Sequence, residues 1–346
     1  MIELLAAVAV LLALIFTFTN GFQDASSIAA TFIASRSAKP RQGIMLVASM
    51  EFLGALLGGT AVAFTLAGLL LVEPGESTVL LLLAALMGAT TWNLLTYYLA
   101  VPSSSTHALI GGLVGAAVAA EGLSAVLWGW EELVSSGHEL VGLMKILVFL
   151  AVSVLIGLVG GYIAHKLVAV ALRNAKRQVN RKIIGVNWAA AAGMAFFNGA
   201  NDSQKQLGVI ALIVFSAGVT EVLEVELWAR VACAVLLGLG TLGGGWRIMR
   251  TLGSRIFRVR PVHSMESQAA SAASIAFSTV YGAPISSTHI ISSSIIGVGA
   301  AVDPKKVRWS VGREIIVSWA LTIPATMLVS GGLYLLLELI IPMGGS

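Results

Sequence analysis

Ten apolar stretches divide this chain, near residues 2–35, 43–71, 78–101, 103–120, 141–165, 183–217, 226–246, 264–282, 284–302 and 314–342. A helix needs about 20 apolar residues to cross the hydrocarbon of a bilayer. Inside hydrocarbon every backbone N–H and C=O has to be satisfied within its own segment, which stretches of this kind achieve as helices. The expected fold class is an all-α polytopic membrane protein with about ten to twelve transmembrane segments. In 346 residues that leaves no length for a soluble domain, so single-pass receptors and membrane-tethered enzymes are excluded. Asp, Glu, Lys and Arg make up 11% of the chain, against roughly 25% in soluble domains, too little charge to cover a water-facing surface.

The charges are sorted by loop. Arg36, Lys39 and Arg41 share one connection, and Lys166, Arg173, Lys176, Arg177, Arg181 and Lys182 a second. Arg247, Arg250, Arg255, Arg258 and Arg260 share a third, and Lys305, Lys306, Arg308 and Arg313 a fourth; together these hold 18 of the 21 Lys and Arg. By the positive-inside rule these loops are cytoplasmic, and their basic residues set topology and do not bind nucleic acid. The alternate loops carry Glu73 and Glu76, then Glu121, Glu131, Glu132 and Glu139, then Glu221, Glu224 and Glu226, and fall outside. The expected location is the plasma or inner membrane, multi-pass, with the N-terminus outside. The first stretch opens on Glu3 instead of a basic region and is read as a retained helix. The single cysteine, Cys233, permits no intrachain disulfide and no cysteine-based metal cluster.

Two pairs of motifs show that the chain is duplicated. Asn20-Gly21-Phe22-Gln23-Asp24 corresponds to Asn198-Gly199-Ala200-Asn201-Asp202 at an offset of 178. Pro102-Ser103-Ser104-Ser105-Thr106-His107 corresponds to Pro284-Ile285-Ser286-Ser287-Thr288-His289 with five of six positions identical. Following the loop charges, 2–35 runs inward and 183–217 outward, so the copies are inverted. The expected organisation is a first inverted repeat over 1–140, a linking helix and basic loop over 141–182, a second repeat over 183–313 and a C-terminal helix over 314–346. The two longest stretches, interrupted by Asn-Gly and Asp, are expected to be broken helices. Inverted repeats with broken or re-entrant helices are an architecture of secondary transporters that hold substrate near the midplane.

Asp24 and Asp202 lie in the centres of apolar stretches, where an ionised carboxylate costs at least about 2.5–3.5 kcal/mol unless compensated. Asn20 and Asn198 stand four residues earlier, on the same helical face. Carboxylate, amide and carbonyl oxygens are hard ligands suited to Na⁺, or to a proton on Asp. Ser103 to Thr106 and Ser286 to Thr288 each start a helix, where hydroxyls and free N–H groups suit an anion. A cation on the carboxylates removes their repulsion of that anion, which points to symport. Convergent hydroxyl and N–H donors suit a tetrahedral oxyanion, phosphate or sulfate. There is no nucleophile elbow, zinc-protease motif or phosphate-binding loop, so neither a hydrolase nor an ATP-driven pump is indicated. A channel would call for a continuous polar lining instead of four isolated sites.

These same residues resemble the duplicated signature of the inorganic phosphate transporter (PiT) family over nearly the whole chain. The resemblance implies an inverted-repeat membrane fold, phosphate carried with Na⁺ or alternatively H⁺, and a homodimer; sulfate or a metal phosphate is the alternative cargo. No cofactor is implied beyond the transported ions. The short loop at 166–182 resembles prokaryotic members. Candidate phosphate residues are Gln23, Asp24, Ser104, Ser105, Thr106, Asn201, Asp202, Ser286, Ser287 and Thr288. Candidate Na⁺ ligands are Asn20, Asp24, Asn198, Asp202, Glu51 and Glu266, the last two by match to family positions. Glu51 lies deep in its stretch, whereas Glu266 lies near the cytoplasmic edge, where solvation is the alternative. Gln23 replaces the family's Asn, and Lys205 stands where the family has a small or amide residue, facing either phosphate or the interface.

Overall fold

The computed structural model describes residues 1–99, 101, 103–135, 138–176, 178–244 and 256–341, without the side chains of Ser26, Val311 and Ile315. Pro102, Arg177, Arg247, Arg250 and Arg255, named above from the sequence, lie outside the described residues. Each of the ten apolar stretches contains helix. In chain order the helices are α1 (Ile2–Ala34), α2 (Pro40–Leu57), α3 (Ala61–Ala67), α4 (Glu76–Tyr98), α5 (Ser105–Glu121), α6 (Trp130–Val134) and α7 (Gly142–Ala171). They continue with α8 (Val179–Ser216), α9 (Leu227–Gly243), α10 (Pro261–Val280), α11 (Ser287–Val302) and α12 (Trp309–Ile340). Among the described residues extended pairing is confined to a single bridge, Leu70 with Val126.

Five of these, α1, α4, α7, α8 and the Gly312–Ile340 part of α12, are long and apolar enough to span a membrane, and α2 with α3 forms a sixth span bent by 72°. α5, α9 and α11, with 17, 17 and 16 residues, are shorter than a full crossing of about 20. α10 carries a buried polar face of Ser264, Glu266, Ser267, Gln268, Ser271, Ser274 and Ser278. The outer surface is apolar, with Leu4, Leu11, Leu155, Val159, Leu335 and Leu339 exposed, and the polar groups are turned inward, as a lipid solvent requires.

The helices associate through small residues, because lipid offers no hydrophobic drive between helices and close backbone approach replaces it. On α5 a Cβ at Gly115 would stand 2.2 Å from the Met327 carbonyl oxygen of α12, and on α7 a Cβ at Gly161 would stand 2.4 Å from that of Ser294 on α11. α1 packs on α9 and α4, and α8 correspondingly on α2 and α10.

One expectation needs correcting. α1 and α8 are continuous over 33 and 38 residues, with no break at Asn20-Gly21 or Asn198-Gly199. The glycines serve a different purpose: a Cβ at Gly21 would lie 2.2 Å from the Leu237 carbonyl oxygen and one at Gly199 2.2 Å from that of Glu51. They let α9 and α2 cross in contact with the long helices. The discontinuities lie elsewhere, at 58–60 between α2 and α3 and at the residues that lead into α5 and α11.

Candidate functional site

α1 and α8 cross at mid-length, and their Asn and Asp side chains meet there. Asn20 Nδ2 donates to Asp202 Oδ2 at 3.3 Å, and Asn198 Nδ2 donates to the same oxygen at 3.4 Å. Asn198 Nδ2 also donates to Glu51 Oε1 at 2.9 Å, and the Thr241 hydroxyl of α9 donates to Glu51 Oε2. Asp24 lies beside Asp202, close enough for the two carboxyl groups to contact each other. All six polar residues are buried to 2% exposure or less. Two carboxyl groups so close do not both stay bare; a proton or a cation has to stand between them.

The N-terminal ends of α5 and α11 converge on the same region. Ser104 and Ser286 are the N-caps, each accepting from the backbone N–H three residues on, His107 at 3.2 Å and His289 at 3.4 Å. Short polar side chains do this where a chain enters a helix from extended backbone. The His107 and His289 rings face each other with centroids 4.4 Å apart, and the Thr106 hydroxyl donates to the Ile285 carbonyl at 2.8 Å. The N–H groups of the first turns at Ser105, Thr106, Ser287 and Thr288 have no acceptor within their helices. Two positive helix ends meeting there favour a negative ligand.

The carboxylates and the helix ends are connected. Ser287 Oγ donates to Asp24 Oδ1 at 3.3 Å, and the Thr288 and Ser27 hydroxyls lie 3.4 Å apart. Lys205, 1% exposed, turns inward: Nζ donates to Asp202 Oδ1, to Thr106 Oγ1 at 2.7 Å and to the Ile285 carbonyl at 2.7 Å. Asn20 Oδ1, Asn198 Oδ1 and Asp24 Oδ2 are buried and have no hydrogen-bond partner among the described residues. All three are acceptor oxygens, and buried acceptors call for a partner.

Of the other sequence candidates, Gln23 gives its amide N–H to the Asn93 carbonyl of α4, and Asn201 gives its own to Thr279 Oγ1 at 2.9 Å and to the Ala283 carbonyl at 3.2 Å. Asn201 thereby holds the segment that leads into α11, and Gln23 holds the C-terminal part of α4. Glu266 stands apart from the cluster. It is 1% exposed and accepts from His165 Nδ1 at 3.0 Å, so it is not solvated as its place near the edge allowed. Along α10 it lies 13 positions from Thr279, or about 20 Å at 1.5 Å per residue. Thr241 and Ser27 were not singled out from the sequence, since a hydroxyl in an apolar helix carries no distinctive spacing. Lys205 had a usable signal: three positions after Asp202, it shares that residue's helical face.

A family model described as the phosphate transporter family matches residues 20–330 of the chain. The chain belongs to this family. A Bacillus subtilis relative named "Probable low-affinity inorganic phosphate transporter" is 36% identical over 341 residues, covering 97% of this chain and 98% of its own. One of the same name from Mycobacterium tuberculosis is 38% identical over 339 residues, covering 97% and 78%. A solved structure, "The sodium-dependent phosphate transporter", superposes with a TM-score of 0.86 at 23% identity over 97% of this chain and all of the other. The family is one of transporters and not of enzymes, and with its several apolar helices this member is a multi-pass membrane protein.

Proposed function

We propose that the protein imports inorganic phosphate together with Na⁺, with phosphate held between the first turns of α5 and α11 and Na⁺ beside Asp24. The observation that carries this reading is the combination, in one buried region, of unpaired acceptor oxygens on Asn20, Asp24 and Asn198 with two converging helix N-termini. Oxygens of that kind are hard ligands for a small cation, and helix N-termini are ligands for an anion. Ser287, bonded to Asp24 at 3.3 Å, joins the two. A cation on Asp24 offsets the repulsion between the carboxylates and phosphate, so each ion raises the affinity of the other. The structural neighbour is named for its sodium dependence, which supports the choice of cation.

The remaining parts of the reading follow from the duplication. Residues 1–140 and 183–313 are two inverted repeats, supported by the matched packing of α1 on α9 and of α8 on α2, with 141–182 linking them and 314–346 closing the bundle. The basic loops are cytoplasmic, the N-terminus outside, the location the plasma or inner membrane and the working unit a homodimer. Proteoliposomes loaded without Na⁺ and given an inward Na⁺ gradient accumulate labelled phosphate without nucleotide. Uptake driven by a pH gradient alone assigns the coupling to H⁺, and sulfate competing more strongly than phosphate reassigns the cargo.

A further inference from the structure

We infer that Lys205 is a built-in cation of the pocket: its ammonium group permanently holds the position of one coupling cation, so the chain carries one cation fewer per phosphate than the same pocket without a lysine. The inference rests on the cation-coupled reading above and refines its stoichiometry.

The ligand set is the first ground. Nζ has three donors and no acceptor, and all three are used, on a carboxylate oxygen of Asp202, the Thr106 hydroxyl and the Ile285 carbonyl, the last two at 2.7 Å. A carboxylate, a hydroxyl and a carbonyl are the kinds of oxygen that ligate a small hard cation. They come from α8, from α5 and from the segment before α11, so the ammonium group ties together both halves of the molecule at their junction.

The duplication supplies the second ground. At the offset of 178 that relates Asp24 to Asp202, Lys205 corresponds to Ser27. Ser27 lies 3.4 Å from Thr288, as Lys205 lies 2.7 Å from Thr106, so the two positions make the same contact in opposite halves. With only a hydroxyl at Ser27, Asp24 Oδ2 is left without a partner, whereas Lys205, Asn20 and Asn198 together occupy both oxygens of Asp202. Of two equivalent carboxylates, one is neutralised by a tethered charge and the other only by a charge that can leave.

A tethered ammonium returns to its start in every transport cycle and contributes no net charge. Replacing it with a neutral side chain gives Asp202 to a mobile cation, which does contribute. The test is the charge moved per phosphate in proteoliposomes, from the ratio of integrated current to labelled phosphate, a count independent of which cation is carried. Lys205→Ser is expected to move one more positive charge per phosphate than wild type, with the cation dependence of uptake correspondingly steeper. Asp202→Asn/Lys205→Ser, which removes the pair together, is expected to return to the wild-type ratio and to recover phosphate affinity. If Lys205→Ser weakens phosphate at an unchanged ratio, and the purified double variant binds phosphate no better, Lys205 is a phosphate ligand and the inference is overturned. If Lys205→Ser does not fold, the charge moved per phosphate by the double variant decides alone: the wild-type ratio supports the assignment, and a ratio one charge lower, the loss of a mobile cation from Asp202, overturns it. Wild-type uptake indifferent to any cation gradient defeats the coupled reading itself, a different result from an unchanged ratio with cation-driven uptake intact.

Discussion

Asn20 on α1 donates to Asp202 on α8 at 3.3 Å, across 182 positions of sequence. Its counterpart Asn198 donates to the same oxygen, so amides from both halves of the duplicated chain serve one carboxylate. Asp24, the counterpart of Asp202, receives neither.

This asymmetry separates two substitutions that the sequence treats alike. Asp24→Asn keeps the shape and removes the charge that a mobile cation meets. It is expected to lower apparent Na⁺ affinity about ten- to a hundredfold, the effect of losing one charge-assisted contact of roughly 1.5–3 kcal/mol. Asp202→Asn instead leaves Lys205 buried without its ion pair, which costs about 3–5 kcal/mol of stability. Labelled-phosphate binding across a Na⁺ titration, with thermal unfolding of the purified protein, reads both. Equal Na⁺ shifts with equal melting temperatures would defeat the distinction.

The hydroxyls divide in the same way. Ser287 donates to Asp24, so Ser287→Ala is expected to weaken phosphate and Na⁺ together. Ser105, in the first turn of α5, has no such bond to the carboxylates, and Ser105→Ala is expected to weaken phosphate while leaving intrinsic cation binding within about threefold. Losing one hydrogen bond at roughly 1 kcal/mol sets each phosphate effect at about five- to tenfold. Isothermal titration of Na⁺ with and without phosphate separates the two terms.

Much of this region was legible in the sequence. The repeated Asn-Gly and Asp positions, the serine starts of α5 and α11 and the ten apolar stretches are local signals, and each is found in the fold at the residues that carried it. What was not legible depends on which helix crosses which. Gly21 and Gly199 read as breaks because glycine in a helix usually weakens it; only the neighbours Leu237 and Glu51 reveal them as contact points in unbroken helices. Glu266 read as an edge residue because its partner His165 lies 101 positions away. Lys205 was ambiguous because its ligands Thr106 and Ile285 reach it only through the fold.

Glu51 and Glu266 test the separation of the sites. Glu51 accepts from Asn198 and Thr241 in the cluster around Asp202, so Glu51→Gln is expected to reduce the steepness or the midpoint of the Na⁺ dependence. Glu266 bonds to His165, about 20 Å along α10 from the residues that brace the helix ends. Glu266→Gln is expected to lower the melting temperature while leaving the Na⁺ midpoint within twofold. A Na⁺ midpoint moved by Glu266→Gln and not by Glu51→Gln would place the cation at the other end of α10.

Topology is tested by labelling single cysteines. Cys233 is buried, and Cys233→Ser gives a background without thiols. Lys176 and Glu131 are exposed, in a basic and an acidic connection respectively. A cysteine at position 176 is expected to react with an impermeant maleimide only when the cytoplasmic face is open, and one at position 131 only from outside. Reaction of both from one face would end the inverted-repeat reading.

Packing at the centre makes the last prediction. A Cβ at Gly199 would stand 2.2 Å from the Glu51 carbonyl oxygen, 2.6 Å from its Cα and 2.8 Å from its carbonyl carbon. All three atoms are backbone, so no side-chain rotation relieves the clash and α2 has to move away from α8. Overpacking of this kind costs at least about 1–3 kcal/mol. It also displaces Glu51, whose bond to Asn198 spans the same contact. Gly193 lies on the same helix with nothing within 4 Å of its Cβ position, and there alanine gains about 0.5–1 kcal/mol of helix preference. Gly199→Ala is therefore expected to lower the melting temperature and the Na⁺ affinity together, and Gly193→Ala to leave affinity unchanged and the melting temperature equal or higher. A Gly199→Ala protein that melts and binds like wild type would mean that α2 and α8 do not cross in contact at Glu51.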